Sequence, residues 1–252
     1  MRLFIDSDAV SMGRRAAEET ARRIREAVQA RGCCRLLLST GASQFEMFDA
    51  LTVLPDIPWD KVVMFHLDEY VALPYAHPAS FRKYLTERFV DKVHPAAAHF
   101  VNGEGDAQAN IAALTEKLRE APIDVALIGI GENGHIAFND PPADFDTREA
   151  YIIVNLDERC KRQQMGEGWF PTLADVPNQA ISMTVWQMMQ SRVVLSIVPG
   201  ARKAEAVRLT LESPEVTNRV PATKLREHAD WMLFLDEGSA AQLSPETRAK
   251  AE

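Results

Sequence analysis

The sequence predicts an α/β fold: a single-domain, Rossmann-like and mostly parallel sheet with helices on both faces. Its strand candidates are short apolar runs such as Arg35–Ser39 and Asp124–Ile130, as expected for strands buried on both sides. Longer amphipathic segments separate these runs, and regular alternation of the two is typical of parallel sheets. No stretch rich in Gly, Ser or Pro divides the chain, so we expect one domain over residues 1–252.

The individual elements follow from the hydrophobic pattern and from signals at their ends. The first helix is the clearest, because apolar residues recur at helical spacing from Val10 to Val28 and Gly32 ends the pattern. The predicted strands are Leu3–Ile5, Arg35–Ser39, Val62–Leu67, Asp124–Ile130, Val193–Val198 and Trp231–Leu235. The predicted helices are Asp8–Gly32, a helix beginning at Ser43, Phe81–Val90, Ile111–Arg119 and Ala201–Glu212. Ligands of such folds bind beyond the carboxyl ends of the strands, so the segments after the strands hold the candidate site.

The composition limits the classes of function. The chain of 252 residues has 28 basic and 36 acidic residues, which gives a net charge of −8. This balance argues against binding to nucleic acid or to an anionic membrane, both of which need a basic surface. A small anionic substrate stays compatible, because a few backbone N–H groups and one lysine can hold a phosphate locally.

The cysteines and the N-terminal segment indicate the compartment. Cys33, Cys34 and Cys160 are odd in number and two of them are adjacent, which is a poor pattern for disulfides. We therefore expect reduced structural thiols, and no spacing with histidines indicates a metal site. Met1–Asp6 lacks the long apolar run of a signal peptide, and no apolar stretch approaches membrane length. These features predict a cytoplasmic protein without a membrane span.

The segment after the second predicted strand has the character of a phosphate-binding turn. Ser43 and Glu46 have the spacing of a capping box, so we expect the following helix to begin at Ser43. Its free N–H groups would then face the space above the sheet, where Gly41 lets the backbone approach a ligand closely. The Gly-Lys-Ser/Thr ending of a P-loop is absent. The alternative, a plain capped turn, stays open.

Two adjacent carboxylates, Asp68 and Glu69, follow the third predicted strand. Such a pair is costly to bury without a purpose or partners, and one of them can serve as a proton-transfer base. Alternatively, one of them caps the following turn. His66 has the same parity as Asp68 in an extended strand, so it either orients Asp68 or is a buried, hydrogen-bonded histidine.

The strongest signal is the glycine-rich segment after Asp124–Ile130. It contains a G-x-G-x-x-G pattern at Gly129, Gly131 and Gly134, which in a dinucleotide-binding protein would open a long helix. The prolines at 141 and 142 interrupt the segment too early for that helix. We therefore reject a dinucleotide cofactor at this site.

The same segment presents a histidine with polar neighbours. His135 is preceded by two glycines, and Asn133 and Asp140 lie close to it in sequence. A carboxylate that holds a histidine fixes its tautomer and stabilises the imidazolium, which is a common acid/base arrangement. A single histidine is more often structural, but this context favours a functional one.

Taken together, these segments resemble those of glucosamine-6-phosphate deaminases and, more distantly, those of 6-phosphogluconolactonases. The string from Gly134 to Asn139, Gly-His-Ile-Ala-Phe-Asn, is specific to the deaminase side, since lactonases tend to have a Gly-His-Thr-Ala-Ser type of string. The resemblance covers most of the chain, from the first helix to Leu243. The matching residues are Ser39–Gly41, Leu67–Tyr70, His77–Ser80, Gly131–Pro141, Lys203 after Val198–Gly200, and Pro221–Thr223 with Leu225 and His228.

The resemblance implies an enzyme, a hydrolase and aldose–ketose isomerase, that converts glucosamine 6-phosphate to fructose 6-phosphate and ammonia. His135 would open the sugar ring as acid and base with support from Asp140 and Asn133, and Asp68 would move a proton between C2 and C1. No metal or organic cofactor is implied. The partner would be a phosphorylated amino sugar, and a homo-oligomer is left open. The residues that would bind substrate and phosphate are Thr40, Gly41, Ala42, Ser43, Glu69, Gly134 and Lys203.

Some positions depart from the family pattern. Asp140 stands where many deaminases have a glutamate. Deaminases also place a phosphate-clamping arginine near Gln164, and here Arg159 and Arg162 are the candidates for its role. No activation by an amino-sugar effector is expected, because basic residues of the allosteric site of hexameric members are replaced. The replacing residues are Ala143, Ala150 and Ile152.

Two alternatives to the deaminase stay open. One is a related sugar-phosphate enzyme, either a 6-phosphogluconolactonase or an isomerase, and the other is a catalytically weak sugar-phosphate sensor. The string Ile136–Phe138 favours the deaminase over the lactonase. The presence of both Asp68 and His135 argues against the sensor.

Overall fold

A parallel sheet of seven strands lies at the centre of the computed structural model, which describes residues 1–166 and 168–252 apart from the side chain of Arg159. The strands are β1 (Arg2–Asp6), β2 (Cys34–Leu38), β3 (Val62–His66), β4 (Asp68–Tyr70), β5 (Ala97–His99), β6 (Val125–Leu127), β7 (Tyr151–Asn155), β8 (Gln179–Met183), β9 (Val193–Val198) and β10 (Trp231–Asp236). The order across the large sheet is β1-β10-β9-β6-β2-β3-β5, and all its neighbours pair in parallel.

Helices and short helical turns connect the strands. The α-helices are α1 (Ala9–Arg31), α2 (Phe45–Leu51), α3 (Phe81–Leu85), α4 (Asp91–Val93), α5 (Ala107–Arg119), α6 (Glu158–Gly166), α7 (Val185–Met188), α8 (Ala204–Glu212) and α9 (Pro245–Arg248). A π-helical turn, Thr86–Val90, joins α3 to α4. The 3-10 turns are Ala42–Gln44, Trp59–Lys61, Leu173–Asp175, Ala201–Lys203 and Pro221–Glu227.

The strands of the large sheet are buried on both faces, as their continuous apolar sequences predict. In β2, Leu36 and Leu38 pack in a cluster with residues of α1 and α2, whereas Leu37 packs in another cluster with residues of α5 and α8. Successive side chains of a strand point to opposite faces, so each face of the sheet has its own core. The predicted fold class is therefore confirmed: a mostly parallel sheet with helices on both faces.

The predicted bounds of the first helix are also confirmed. The Asp8 side chain accepts a hydrogen bond from the N–H of Ser11, and Gly32 ends α1 with a left-handed φ of 78°. The strand predicted for residues 124–130 is shorter than expected, because the chain leaves the sheet after Leu127 and forms the glycine-rich loop. No helix or strand follows in residues 128–150, which agrees with the rejection of a dinucleotide-binding helix.

A second sheet was not predicted. It consists of β4, β8 and β7, which pair antiparallel. The chain passes from the large sheet to the small one at Leu67, whose N–H donates to the carbonyl of Leu38 and whose carbonyl accepts from the N–H of Met183. Asp68 therefore lies directly at the junction of the two sheets.

Other predictions concern thiols and membranes. None of the three cysteines forms a disulfide bond within the described residues, and Cys34 and Cys160 are buried. Burial raises the pKa of the Cys34 thiol far above its ordinary value, so this group is an unreactive thiol. In the part of the chain that the structure describes, no helix has the length and apolar character that crossing a membrane requires.

Candidate active site

A cavity of about 480 Å³ opens at the carboxyl edge of the parallel sheet. Its walls come from the segments that follow β2, β3, β6 and β9, and from side chains of α6. This edge is where ligands bind in folds of this kind. The predicted site residues that line the cavity are Thr40, Gly41, Ala42, Ser43, Asp68, His135 and Lys203.

Two turns of the same construction form part of the wall. After β2, Gly41 has a φ of 102° and leads into the 3-10 turn that begins at Ala42. After β9, Gly200 has a φ of 92° and leads into the turn that begins at Ala201. These φ values are strained for residues with a side chain, which is why glycine stands at both positions. The first N–H groups of a helical turn have no partner within it, so both turns can offer donors to an anion.

The prediction that Ser43 caps a helix is wrong. Ser43 lies inside a 3-10 turn, α2 begins only at Phe45, and no side chain caps either element. Gln44 explains the difference, because its Nε2 donates to Ser43 Oγ at 3.1 Å and to the carbonyl of Ile197 at 3.4 Å. The Ser43 hydroxyl is thereby held beside β9, at the cavity wall.

Two consecutive cations come from the turn after β9. Arg202 and Lys203 both line the cavity. Arg202 Nε lies 2.9 Å from Oε1 of Glu132, a residue of the glycine-rich loop that also lines the cavity. The sequence reasoning found Lys203 and missed Arg202, although the two are adjacent. The signal was available in the order Gly200-Ala-Arg-Lys203, where each basic residue follows a turn glycine by only two or three positions.

Asp68 is a buried carboxyl group in the cavity wall. It is 7% exposed, and burial, assisted by the negative charge of Glu69, raises its pKa to about 8. Pairing of β4 with β8 sets Asp68 opposite Ser182. A carboxyl group whose pKa lies near neutrality can both take up and release a proton in the pH range of metabolism.

Glu69 lies on the other side of the same strand and outside the cavity lining. It is fully buried, and its carboxylate accepts hydrogen bonds from the backbone N–H groups of Phe81 at 3.2 Å and Arg82 at 2.9 Å. The Ser80 hydroxyl donates to it at 3.0 Å, and Arg82 Nε lies 3.3 Å away. Burial raises its pKa, and these donors oppose that effect. Glu69 therefore anchors the start of α3 and does not line the cavity.

His66 does not orient Asp68. Its ring is fully buried and packs edge-on against Phe81 and Phe100, at centroid distances of 6.4 and 6.3 Å. Neither ring nitrogen has a hydrogen-bond partner among the described residues. Burial, followed by the charge of Arg82, lowers its pKa to about 3, so the ring is neutral.

His135 is held by two neighbours from its own loop. Its Nδ1 lies 2.6 Å from Oδ1 of Asn133 and 3.2 Å from Oδ1 of Asp140. Because both are oxygen acceptors, Nδ1 carries the proton, and Nε2 is the nitrogen left for acid/base exchange. Asn133 Nδ2 in turn donates to Asp140 at 2.9 Å, which sets the orientation of its amide group. The shorter side chain of Asp140 thus does reach the histidine.

Asp140 is ionised in this arrangement. Burial on its own would raise the pKa of Asp140, but the hydrogen bond and charge of His135, together with the donor of Asn133, bring it down to about 2. Asp140 and Asn133 lie behind the histidine and do not line the cavity themselves.

The loop owes its shape to several contacts. The His135 ring lies over the backbone of Gly131, where an added Cβ would come within 2.1 Å of the ring. Asn139 ties the loop to β8, since its Nδ2 donates to Ser182 Oγ at 3.2 Å and to the carbonyl of Met183 at 2.8 Å. Gly134, a predicted binding residue, lies outside the lining and has a left-handed φ of 82°. Gly134 therefore contributes to the conformation of the loop.

Helix α6 contributes Gln163 and Gln164 to the cavity. The hydroxyl of Tyr70 donates to Gln164 Oε1 at 2.6 Å, which fixes this buried amide. Arg162, a candidate for a phosphate clamp, lies outside the lining and pairs with Glu158 of its own helix at 3.0 Å. The other candidate, the side chain of Arg159, lies outside the described residues.

The described residues contain no group of three or more His, Cys, Asp or Glu side chains placed to hold a metal ion. The site combines a buried carboxyl group, an oriented histidine and two glycine-led turns, of which the turn after β9 has two cations. Such an arrangement is suited to proton transfer on a small anionic substrate. Fold and site together define an α/β protein with an acid/base cavity at the carboxyl edge of its sheet.

Comparison with known proteins identifies the family. The chain belongs to the family described as glucosamine-6-phosphate isomerases/6-phosphogluconolactonase, whose model matches residues 7–234. It is 32% identical over 245 residues to a glucosamine-6-phosphate deaminase of Oenococcus oeni, and the aligned region covers 97% of this chain and 99% of that relative. It is 36% identical over 219 residues to a glucosamine-6-phosphate deaminase of Exiguobacterium sibiricum, and the aligned region covers 84% of this chain and 82% of that relative. The resemblance found in the sequence is thereby confirmed.

Solved structures of this family have the same fold. A monomeric glucosamine-6-phosphate deaminase superimposes with a TM-score of 0.88 at 27% identity, over 96% of this chain and all of that one. A 6-phosphogluconolactonase of Shewanella baltica superimposes with a TM-score of 0.76 at 19% identity, over 94% of this chain and 97% of that one. The second similarity concerns the fold alone.

Proposed function

We propose that this protein converts glucosamine 6-phosphate and water to fructose 6-phosphate and ammonia. The observation that carries the proposal is the presence of Asp68 and of His135, with Nδ1 held by Asn133 and Asp140, in the wall of one cavity. Named deaminases at 32–36% identity over most of the chain support it. The substrate, the roles of the residues and a cytoplasmic location are all part of the proposal.

His135 has the geometry for the first step, the opening of the sugar ring. Ring opening removes the proton of the C1 hydroxyl and adds a proton to the ring oxygen, so one group must act as both base and acid. With Nδ1 engaged by Asn133 and Asp140, Nε2 is the nitrogen that exchanges these protons. The ionised Asp140 stabilises the imidazolium that forms in between.

Asp68 is the base of the isomerisation. It removes the proton from C2 of the open-chain amino aldehyde and returns a proton to C1. The C1 oxygen gains a proton and the amino nitrogen loses one, which leaves a C1 hydroxyl group and an imine at C2. A carboxyl group with a pKa of about 8 holds a proton firmly enough to deliver it to carbon and still ionises at slightly alkaline pH.

Water completes the reaction. Its oxygen adds to C2 and the C2–N bond breaks, so that ammonia leaves and the ketone of fructose 6-phosphate forms. The proposal therefore includes both activities expected from the resemblance, an aldose–ketose isomerisation and a hydrolytic loss of nitrogen.

The two glycine-led turns are the proposed phosphate site. Residues 40–43 supply backbone N–H groups and the hydroxyl groups of Thr40 and Ser43, and Lys203 supplies a charge. This local set of donors explains how a chain with a net charge of −8 can bind a phosphate ester. We leave Glu69 and Gly134 out of direct contact with the substrate, since both lie outside the cavity lining.

The test is ammonia release from glucosamine 6-phosphate, with fructose 6-phosphate measured in parallel. We expect stoichiometric formation of both products. Unphosphorylated glucosamine and 6-phosphogluconolactone serve as comparison substrates. Hydrolysis of the lactone without release of ammonia would replace the proposal by a lactonase. Binding of the sugar phosphate without any turnover would replace it by a sensor.

A further inference from the structure

The cavity has an ion pair at its wall that the proposed reaction does not use. Arg202 Nε, in the turn after β9, lies 2.9 Å from Oε1 of Glu132, in the loop after β6. A Cβ added to Gly166, the last residue of α6, would lie 4.0 Å from Nη2 of Arg202. The guanidinium group therefore lies where three segments of the cavity wall meet.

This ion pair can be broken at little cost. The Arg202 side chain is 65% exposed and that of Glu132 is 31% exposed. Exposed pairs contribute little to stability, because water screens the charges and two long side chains lose freedom. Arg202 is thus free to exchange Glu132 for a stronger anionic partner that enters the cavity.

The balance of charge in the wall calls for such an exchange. Among the described lining residues, the cations are the consecutive Arg202 and Lys203. The carboxyl groups in the same lining are Glu46, Asp68, Glu132 and Asp236. A phosphate dianion next to carboxyl groups is better balanced by two cations than by one. A guanidinium group is the suitable second one, since its planar fork matches two phosphate oxygens.

We propose that Arg202 leaves Glu132 and binds the phosphate group of the substrate beside Lys203. Glu132 then acts as an internal competitor that holds the arginine in the empty site and sets the affinity for phosphorylated ligands. The inference rests on the proposed function, since it assumes a phosphate ester as substrate. It assigns Arg202 and Glu132 to substrate selection and not to proton transfer.

The two substitutions Arg202→Ala and Glu132→Gln distinguish this role from a structural one. Both substitutions break the same ion pair. If the pair only joins two loops, both should change the affinity for phosphate in the same direction. If Arg202 binds phosphate, Arg202→Ala weakens binding by about 10- to 100-fold, the loss typical of a charge-assisted hydrogen bond. Glu132→Gln instead tightens binding by a few-fold, because the arginine loses its competing partner and the wall loses a negative charge.

The measurement is calorimetric titration of each variant with inorganic phosphate at constant ionic strength. This readout does not depend on turnover, so it tests Arg202 even if no ammonia is released from the amino sugar. In the Arg202→Ala background, Glu132→Gln should lose its tightening effect. Arg202→Lys should recover part of the affinity, as it keeps the charge and loses the fork.

Arg22→Ala is the matched control, since Arg22 is also an exposed arginine paired with glutamates, but on α1 and away from the cavity lining. Phosphate affinity should be unchanged in it. The inference is overturned if Arg202→Ala binds phosphate within about twofold of the unsubstituted protein, or if both variants shift in the same direction. Absence of any measurable phosphate binding to the unsubstituted protein overturns it as well.

Discussion

The two faces of β4 give adjacent carboxyl groups opposite environments. Asp68 faces the cavity, and burial together with its neighbour's charge raises its pKa to about 8. Glu69 faces the start of α3, where backbone N–H groups, the Ser80 hydroxyl and Arg82 surround its oxygen atoms. The two residues are adjacent in the chain and both are buried.

The difference shows that burial alone does not decide what a carboxyl group does. Donors around Glu69 satisfy its charge and make it part of the framework that holds α3. Among the described residues Asp68 has no comparable shell of donors, so its charge is costly and its proton is tightly held. A buried carboxyl group without such donors destabilises the fold, and its raised pKa makes it suitable for proton transfer.

Asp68→Asn is the substitution with the largest expected effect. Turnover should fall by about 10²- to 10⁴-fold, the contribution typical of a general base. The fold should become more stable at pH 8–9. The raised pKa of Asp68 means that stability is lost as pH rises from about 4, where the unfolded chain ionises, to about 8, where the folded one does. Ammonia-release kinetics and thermal unfolding measure the two effects. Normal turnover would remove Asp68 from the mechanism.

Glu69→Gln should have the opposite effects, a loss of stability with little change in turnover. It removes the anion that pairs with the buried Arg82, and breaking a buried pair from one side costs about 3–5 kcal/mol. Arg82 keeps Glu104 at 2.8 Å, which places the cost at the lower end of that range. Denaturant unfolding measures the loss, and the folded fraction should keep most of its turnover. A stable variant with strongly reduced turnover would instead place Glu69 in catalysis.

The smallest of the three expected effects concerns the pH dependence of kcat/KM. Because Asp68 must be ionised to remove the C2 proton, kcat/KM should rise about tenfold per pH unit below its pKa of about 8 and level off above it. The negative charge of Glu69 contributes to this pKa, so Glu69→Gln should shift the rising limb to lower pH. A profile that is flat from pH 6 upward would show that Asp68 does not control the rate.

The predictions from sequence succeeded where local pattern decides the structure. The first helix, with Asp8 and Gly32 at its ends, and the continuous apolar strands required only hydrophobic periodicity and end signals. Ser43 was assigned a capping role from its spacing alone, and this failed because Gln44 binds Ser43 and β9 at once. That contact joins residues far apart in the chain and leaves no local signature.

The small antiparallel sheet escaped prediction for a similar reason. Its strand β4 has only three residues and follows β3 after the single residue Leu67, so the two appear as one segment in sequence. Its pairing with β8 depends on residues more than 100 positions away. The same strand β8 holds the glycine-rich loop through Asn139, so both halves of the site rest on an element that the sequence did not reveal.

The sequence by itself determined the alternation of strands and helices, the glycine-led turn at Gly41 and the identity of Asp68, His135 and Lys203 as candidates. Only the tertiary structure decided which carboxylate faces the cavity, which atoms orient His135, and that Arg202 stands opposite Glu132. The physical reason is how far apart the interacting residues lie along the chain. Periodicity and turn geometry are properties of neighbouring residues, whereas burial, pKa and charge pairing depend on groups that only folding brings together.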